Sequence, residues 1–117
     1  MIPRDVEGEF IAALAPLGVP VRTRVPNPRP PSHVRVTRTG GDGVNLVQER
    51  PVVLIECWAP SSTAAFDLAA RAYGLVDAAF CGPRDRPSSP VNFPDPATDA
   101  SRYQFVVSPI VNLKESA

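Results

Sequence analysis

The sequence predicts an α/β (α+β) domain: a mixed, mostly antiparallel four-stranded sheet with two helices packed on one face, in the order α-β-β-β-α-β. Three observations predict it. Val34 and Val36 alternate with Arg35 and Thr37, the period-2 pattern of a half-buried strand. Val52 to Trp58 is almost continuously apolar, as a strand buried on both faces requires. Two further stretches, 6–17 and 61–80, repeat their apolar residues at helical spacing.

Size and composition set the frame. The chain has 117 residues, enough for one core and one domain, residues 1–117. Apolar residues make up 44% and charged residues 21%, which excludes a disordered chain. Twelve basic side chains balance twelve acidic ones, so no general electrostatic footprint for nucleic acid or a membrane surface is expected. No apolar run approaches the ~18–20 residues that span a bilayer. The start, M-I-P-R-D-V-E, lacks the basic-then-apolar pattern of a secretory signal. Cys57 and Cys81 are too few for a disulfide framework and are expected to be reduced and non-catalytic.

The elements follow in order. Val6, Phe10, Ala13, Leu14 and Leu17 form the apolar stripe of the first helix. Asp5, Glu7 and Glu9 lie at its start, where the helix dipole favours acids, and Pro16 and Gly18 end it. Val19, Val21, Thr23 and Val25 suggest an edge strand, since Pro20 cannot donate to a ladder. The run from Pro26 to Ser32 is stiff and extended. The two strands of the opening observation come next. Between them, Gly40, Gly41 and Gly43 mark a turn or projecting loop. That connector, roughly 10–12 residues, exceeds the ~2–5 of an ordinary hairpin. Loop 38–50 is therefore expected to be mobile in an isolated subunit and to order against a partner.

Ser61 or Ser62 caps the second helix, which runs to about Phe80 with Ala65, Ala69, Ala72, Tyr73, Val76 and Phe80 inward. Gly82 is expected to close it as a C′ glycine. Residues 83–101 are rich in proline, serine and aspartate, and most of the 15 prolines fall there and around 20–31. Arg102 to Leu113 forms the last strand, with Pro109 marking an edge, a bend or pairing on one side only near its end.

The alternation assigns two sheet faces. Val21, Val34, Val36, Val53, Ile55, Cys57, Tyr103 and Phe105 pack beneath the helices. Arg22, Arg24, Arg35, Thr37, Glu56, Gln104, Val52, Leu54 and Trp58 share the other face. Such a mixed apolar and charged surface fits either a subunit interface or loop cover.

Catalytic readings find little support. His33, the only histidine, reads as a surface residue without the partners that a base or metal ligand needs. Cys57 lies in an apolar strand and lacks a base. T-G-G-D-G lacks the lysine and spacing of a phosphate loop. Glu56 with Asp95 or Asp99, and Asp42 with Asp85 and Asp95, have no spacing that brings them together. No cofactor or metal is expected. Arg22, Arg24, Arg35 and Arg38 form a local basic cluster that suits ion pairs and subunit contacts.

The run P-N-P-R-P-P-S-H-V-R-V-T-R-T-G-G, then N-L-V-Q-E-R-P-V-V-L-I-E-C-W-A, the alanine-rich helix and V-N-F-P-D-P-A-T-D-A-S-R-Y-Q-F together resemble the tail terminator proteins of long-tailed bacteriophages, especially those infecting actinobacteria. The similarity covers about residues 20–111. The resemblance implies a structural virion protein at the tail-neck junction, made in the host bacterial cytoplasm. It implies a homo-oligomeric ring, typically a hexamer, that caps the tail tube, stops its polymerisation and docks the head-completion complex. Its partners are then copies of itself, the major tail tube protein, a head-completion or connector protein, and genomic DNA passing without specific binding. Another phage head-tail connector or neck assembly protein of the same small type is the alternative, and a small intracellular enzyme the third reading. The surfaces expected to meet a neighbour are, by region, Arg38, Asp42, Val44, Leu46, Glu49 and Arg50; Arg22, Arg35 and Trp58; and Phe93 and Asp95.

Overall fold

A computed structural model describes residues 1–115. The elements are α1 (Val6–Ala13), a short 3-10 turn (Ala15–Leu17), β1 (Val21–Arg22), β2 (His33–Gly43), β3 (Gln48–Trp58), α2 (Ser62–Phe80), β4 (Val91–Asn92), β5 (Arg102–Val107) and β6 (Val111–Asn112). They form an α+β fold with one sheet in the order β1-β2-β3-β5-β4, β6 adding to β3 beyond the end of β5. Only β1 and β2 pair in parallel.

The local reasons are visible at the element ends. Asp5 caps α1 by accepting from the Gly8 N–H at 3.0 Å. Gly18, at φ 72°, turns the chain out of the 3-10 segment, a conformation costly for other residues. Ser61 caps α2 by accepting from Ala64 N at 3.1 Å. Ala65, Ala69 and Ala72 are fully buried, so α2 approaches the sheet closely.

The helices share one sheet face. Val34, Val36, Val53, Ile55, Cys57 and Phe105 form a single core cluster with Val6, Phe10, Leu14, Ala69 and Val76, as the strand phase predicts. Phe10 stacks on Phe80 with centroids 4.2 Å apart, joining the two helices. Tyr73 meets Phe105 at 5.8 Å, joining α2 to the sheet. Cys57 and Cys81 are both free. Burial pushes the Cys57 thiol up to about 12 and Cys81 to about 11.

Several expectations are corrected. The sheet has six strands rather than four, because β4 and β6 are two-residue strands with no periodicity to read. The first strand shrinks to Val21–Arg22; Pro20 contributes only its carbonyl, which accepts from Val34 N at 2.9 Å. Gly82 is not a left-handed cap: α2 ends on Cys81 in extended backbone, and among the glycines only Gly18 and Gly41 have positive φ. The last strand stops at Val107, before Pro109; β4 flanks β5 only at Tyr103 and Gln104, so the end of β5 is laddered to β3 alone, one of the arrangements Pro109 suggested.

The largest correction concerns the glycine-rich connector. β2 runs through Gly40, Gly41 and Gly43, and β3 begins at Gln48. Asp42 pairs with Arg50 and Gly43 with Glu49 in register, so only residues 44–47 form the turn. The extra residue is absorbed as a bulge between Arg38 and Gly40. What reads as a loose loop is a hydrogen-bonded ladder that needs no side chains on β2.

Candidate functional site: the long hairpin and the outer sheet face

The 11-residue strands β2 and β3 outrun the rest of the sheet. β5 covers β3 only over Val53–Trp58, and β6 covers Gln48 and Glu49. Leu113 N donates to Val47 O at 2.8 Å, and Ile2 bridges to Lys114 alongside. The hairpin end therefore gathers apolar side chains that no core covers. Leu46 is 90% exposed, and Val44, Val47, Met1 and Ile2 are between 40% and 57% exposed.

Ion pairs brace the outer half of the hairpin, near its turn. Glu49, buried, pairs with Arg38 and accepts from the Arg4 N–H at 3.4 Å. The Arg38 N–H donates to Glu7 of α1 at 2.7 Å. Arg50 donates to Asp85 at 3.0 Å and to the Ser108 carbonyl at 2.9 Å. Asp42 is exposed beside them. Of the hairpin residues expected at an interface, Asp42, Val44 and Leu46 thus stand free at the surface. Arg38, Glu49 and Arg50 are engaged within the subunit.

On the face away from the helices, loop cover decides the matter around Trp58. The sheet brings His33 opposite Trp58, Arg35 opposite Glu56 and Trp58 opposite Arg102. Trp58 is 2% exposed, so it is not a free contact residue. Its Nε1 donates to Asp95 at 3.2 Å, and Arg29 donates to the same carboxylate oxygen at 3.3 Å. Asp95 is buried rather than presented on a loop. Its carboxyl is held below the usual range chiefly by the Ala97 N–H, then by Trp58 and Arg29. Glu56 accepts from Arg35 at 2.7 Å and from Arg102 at 3.0 Å. Arg102 also donates to the Phe93 carbonyl at 2.9 Å. The guanidinium carbons of Arg29, Arg35 and Arg102 lie 5.4–6.0 Å from the Trp58 ring centre, within cation–π range. Residues 91–102 are thereby strapped onto the sheet.

His33 is the residue that sequence reasoning placed wrongly. It is fully buried, not a surface histidine. Its ring stacks on Trp58 at 4.6 Å, tilted by 11°, and its Nδ1 lies 3.1 Å from the Pro30 carbonyl. The signal was present in the phase: His33 falls two residues before Arg35, on the same face as the strand end carrying Trp58. Beside the pair lies a cleft of about 350 Å³, lined in part by Arg29, Asp99 and Ser101.

No protein-family model matches the chain, and no curated protein matches it. The site must be read from its own residues.

Arg22 projects from β1, exposed, and its side chain donates to its neighbour's carbonyl, Val21 O, at 2.8 Å. Phe93 is 48% exposed beneath Arg102, and Val91 (56%) and Val106 (39%) are exposed near it. This is a second apolar patch, on the outer face at the β4 edge. Val91 pairs with Gln104, whereas the hairpin turn joins β3 at Gln48. Gln104 in turn pairs with Glu56. The eight residue steps along β3 from Gln48 to Glu56 separate the two patches by about 26 Å at ~3.3 Å per residue. Among the described residues no three His, Cys, Asp or Glu side chains gather as a metal-binding group. No described helix is long and apolar enough to cross a membrane.

Proposed function

We propose that this chain is a ring-forming subunit that ends a phage tail tube, stopping its polymerisation and docking the head-completion complex. One observation carries the reading: a long, internally braced hairpin ends in side chains, Val44, Leu46 and Val47, that the subunit itself leaves in water. Exposed apolar groups clustered on a stiff projection favour burial against another protein. The second patch at Val91, Phe93 and Val106 faces elsewhere. Two unlike patches on one molecule suit head-to-tail contacts, which close into rings. Each outer-face arginine around Trp58 is paired within the subunit, with Glu56 or Asp95, in keeping with DNA passing a lumen without being gripped. The resemblance noted in the sequence supplies the assembly, including the hexamer and the tube and connector partners.

The test is the mass of the assembled protein by native mass spectrometry, with and without tube protein. A closed oligomer, six copies by this reading, is expected, together with tubes of arrested length. Leu46→Asp should give a folded monomer that leaves tubes uncapped. A chain that stays monomeric with tube protein present, or a Leu46→Asp variant that caps normally, overturns the proposal.

A further inference from the structure

We infer that His33 is an acid-sensitive latch: protonating it releases the proline segment 26–31 and the 94–100 loop from Trp58 while the sheet and the helix-covered core stay folded. This inference stands apart from the ring assembly proposed above.

The geometry carries it. The Pro30 carbonyl can only accept, so the proton of neutral His33 sits on Nδ1. Nε2 then holds a lone pair. It is buried and has no hydrogen-bond partner among the described residues. A neutral acceptor without a partner is a tolerable defect. A protonated Nε2 is a buried cationic donor with nothing to accept from it, which is far more costly. The ring lies flat on Trp58 and its Nδ1 is held at the Pro30 carbonyl, which together set where Nε2 sits.

The surrounding charges do not rescue the protonated form. Arg29 of the proline segment, Arg35 of β2 and Arg102 of β5 all sit by the Trp58 ring. The nearby carboxylates are taken: Glu56 of β3 by Arg35 and Arg102, and Asp95 of the strap by Trp58, Arg29 and Ala97. Asp99, on the cleft wall, is exposed to solvent. An imidazolium stacked on indole gains a cation–π attraction, but it would be a fourth cation on that ring. Burial foremost, and Arg29 with it, accordingly hold His33 below the ordinary histidine value.

Release is confined for a structural reason. His33 lies at the outer end of β2, on the face opposite the core cluster. What meets there are the proline segment and the 94–100 loop, fastened to the ring through the Trp58–Asp95–Arg29 hub, while Val91, Asn92 and Phe93 keep their own backbone pairing to β5. Opening the hub exposes an aromatic ring with three guanidinium groups, a surface the neutral form hides.

Trp58 is the sole tryptophan and His33 the sole histidine, so both ends of the latch report without labels. The experiment follows Trp58 emission, far-ultraviolet circular dichroism and the His33 imidazole signals by NMR from pH 8 to pH 4 in the wild-type chain. The expected result is an Nδ1–H tautomer at neutral pH. A red shift of Trp58 emission should follow with a midpoint below about 6.5, coincident with the imidazole titration, at unchanged dichroism. His33→Phe keeps a stacked ring without a titrating group and should lose that transition. The latch is overturned if His33 titrates without a change in Trp58, if emission and dichroism change together, or if His33→Phe shows the same transition.

Discussion

Glu56 shows how much can hang on one side chain. It is 3% exposed and bridges Arg35 and Arg102. Removing it strands the buried Arg102 guanidinium, whereas Arg35, about a third exposed, can turn to water. Glu56→Ala should cost about 3–5 kcal/mol, read from urea unfolding; a loss under about 1 kcal/mol would mean that water already reaches Arg102. The pH dependence divides between two residues. His33 has a folded pKa below its unfolded value of 6.5, so its neutral form contributes fully above that value. Stability falls as pH drops below 6.5, until the lower folded value is passed. Asp95 is also depressed, below 3.8; its contribution is present above that value and lost as pH falls through the folded one. Unfolding measured against pH should show two separate declines, the upper one missing in His33→Phe. The thiols test burial from another side. With Cys57 at about 12 and Cys81 at about 11, neither is a thiolate at pH 7.5. Iodoacetamide should label Cys57 only after unfolding, and Cys81 slowly before it. Residue roles were legible where phase decided them, as for Ile55, Cys57 and Phe105. They were not where a distant segment did the burying. Nothing near Trp58 in sequence announces that Asp95, 37 positions away, will cover it.

At the scale of elements, the hairpin carries the clearest test. Gly41 sits at φ 148°, and a Cβ there would meet Pro51 Cα at 2.8 Å and Arg50 O at 2.9 Å. Gly40 and Gly43 have open space around them. Gly41→Ala should therefore destabilise by more than about 1 kcal/mol and disturb the distal ladder, seen as faster amide exchange at residues 42–50. Gly43→Ala should do neither. Equal effects at both positions would show that general stiffness, not close approach, is at issue. α2 was readable to within a residue because its cap and apolar stripe are local signals: Ser61 and Phe80 bound it as the sequence suggests. The first helix was read through to Leu17, whereas α1 ends at Ala13 and Ala15–Leu17 form a 3-10 turn. The hairpin was misread because glycine is a loop signal by propensity, while a ladder draws on backbone groups that every glycine has. β4 and β6 lie below the length at which alternation means anything.

For the whole molecule, the core and the outer face behave differently. Ile55 pairs with Val36 on one side and Phe105 on the other, at the centre of the sheet. Ile55→Ala should cost about 2–5 kcal/mol, measured by denaturant midpoint; a loss under half a kcal/mol would place the helices on the wrong face. The sequence assigned this inner face correctly because each of its residues repeats the same two-residue phase. It left the outer face open between interface and loop cover. Loop cover holds around Trp58, whereas Val91, Phe93 and the hairpin tip are exposed.

The strand order also sets a timetable for synthesis. β3 lies between β2 and β5, yet β5, Arg102–Val107, is made only after α2 and the proline-rich strap. A nascent chain can close the β2–β3 hairpin as soon as Trp58 emerges, since its contacts are local. The other edge of β3 must then wait, with Val53, Ile55 and Cys57 facing an unfinished core. During that interval the growing chain presents an apolar strand with an open edge, the state most prone to pairing with the wrong neighbour. Arrival of β5 ends the hazard in one step, by filling the edge and bringing Phe105 beneath α2.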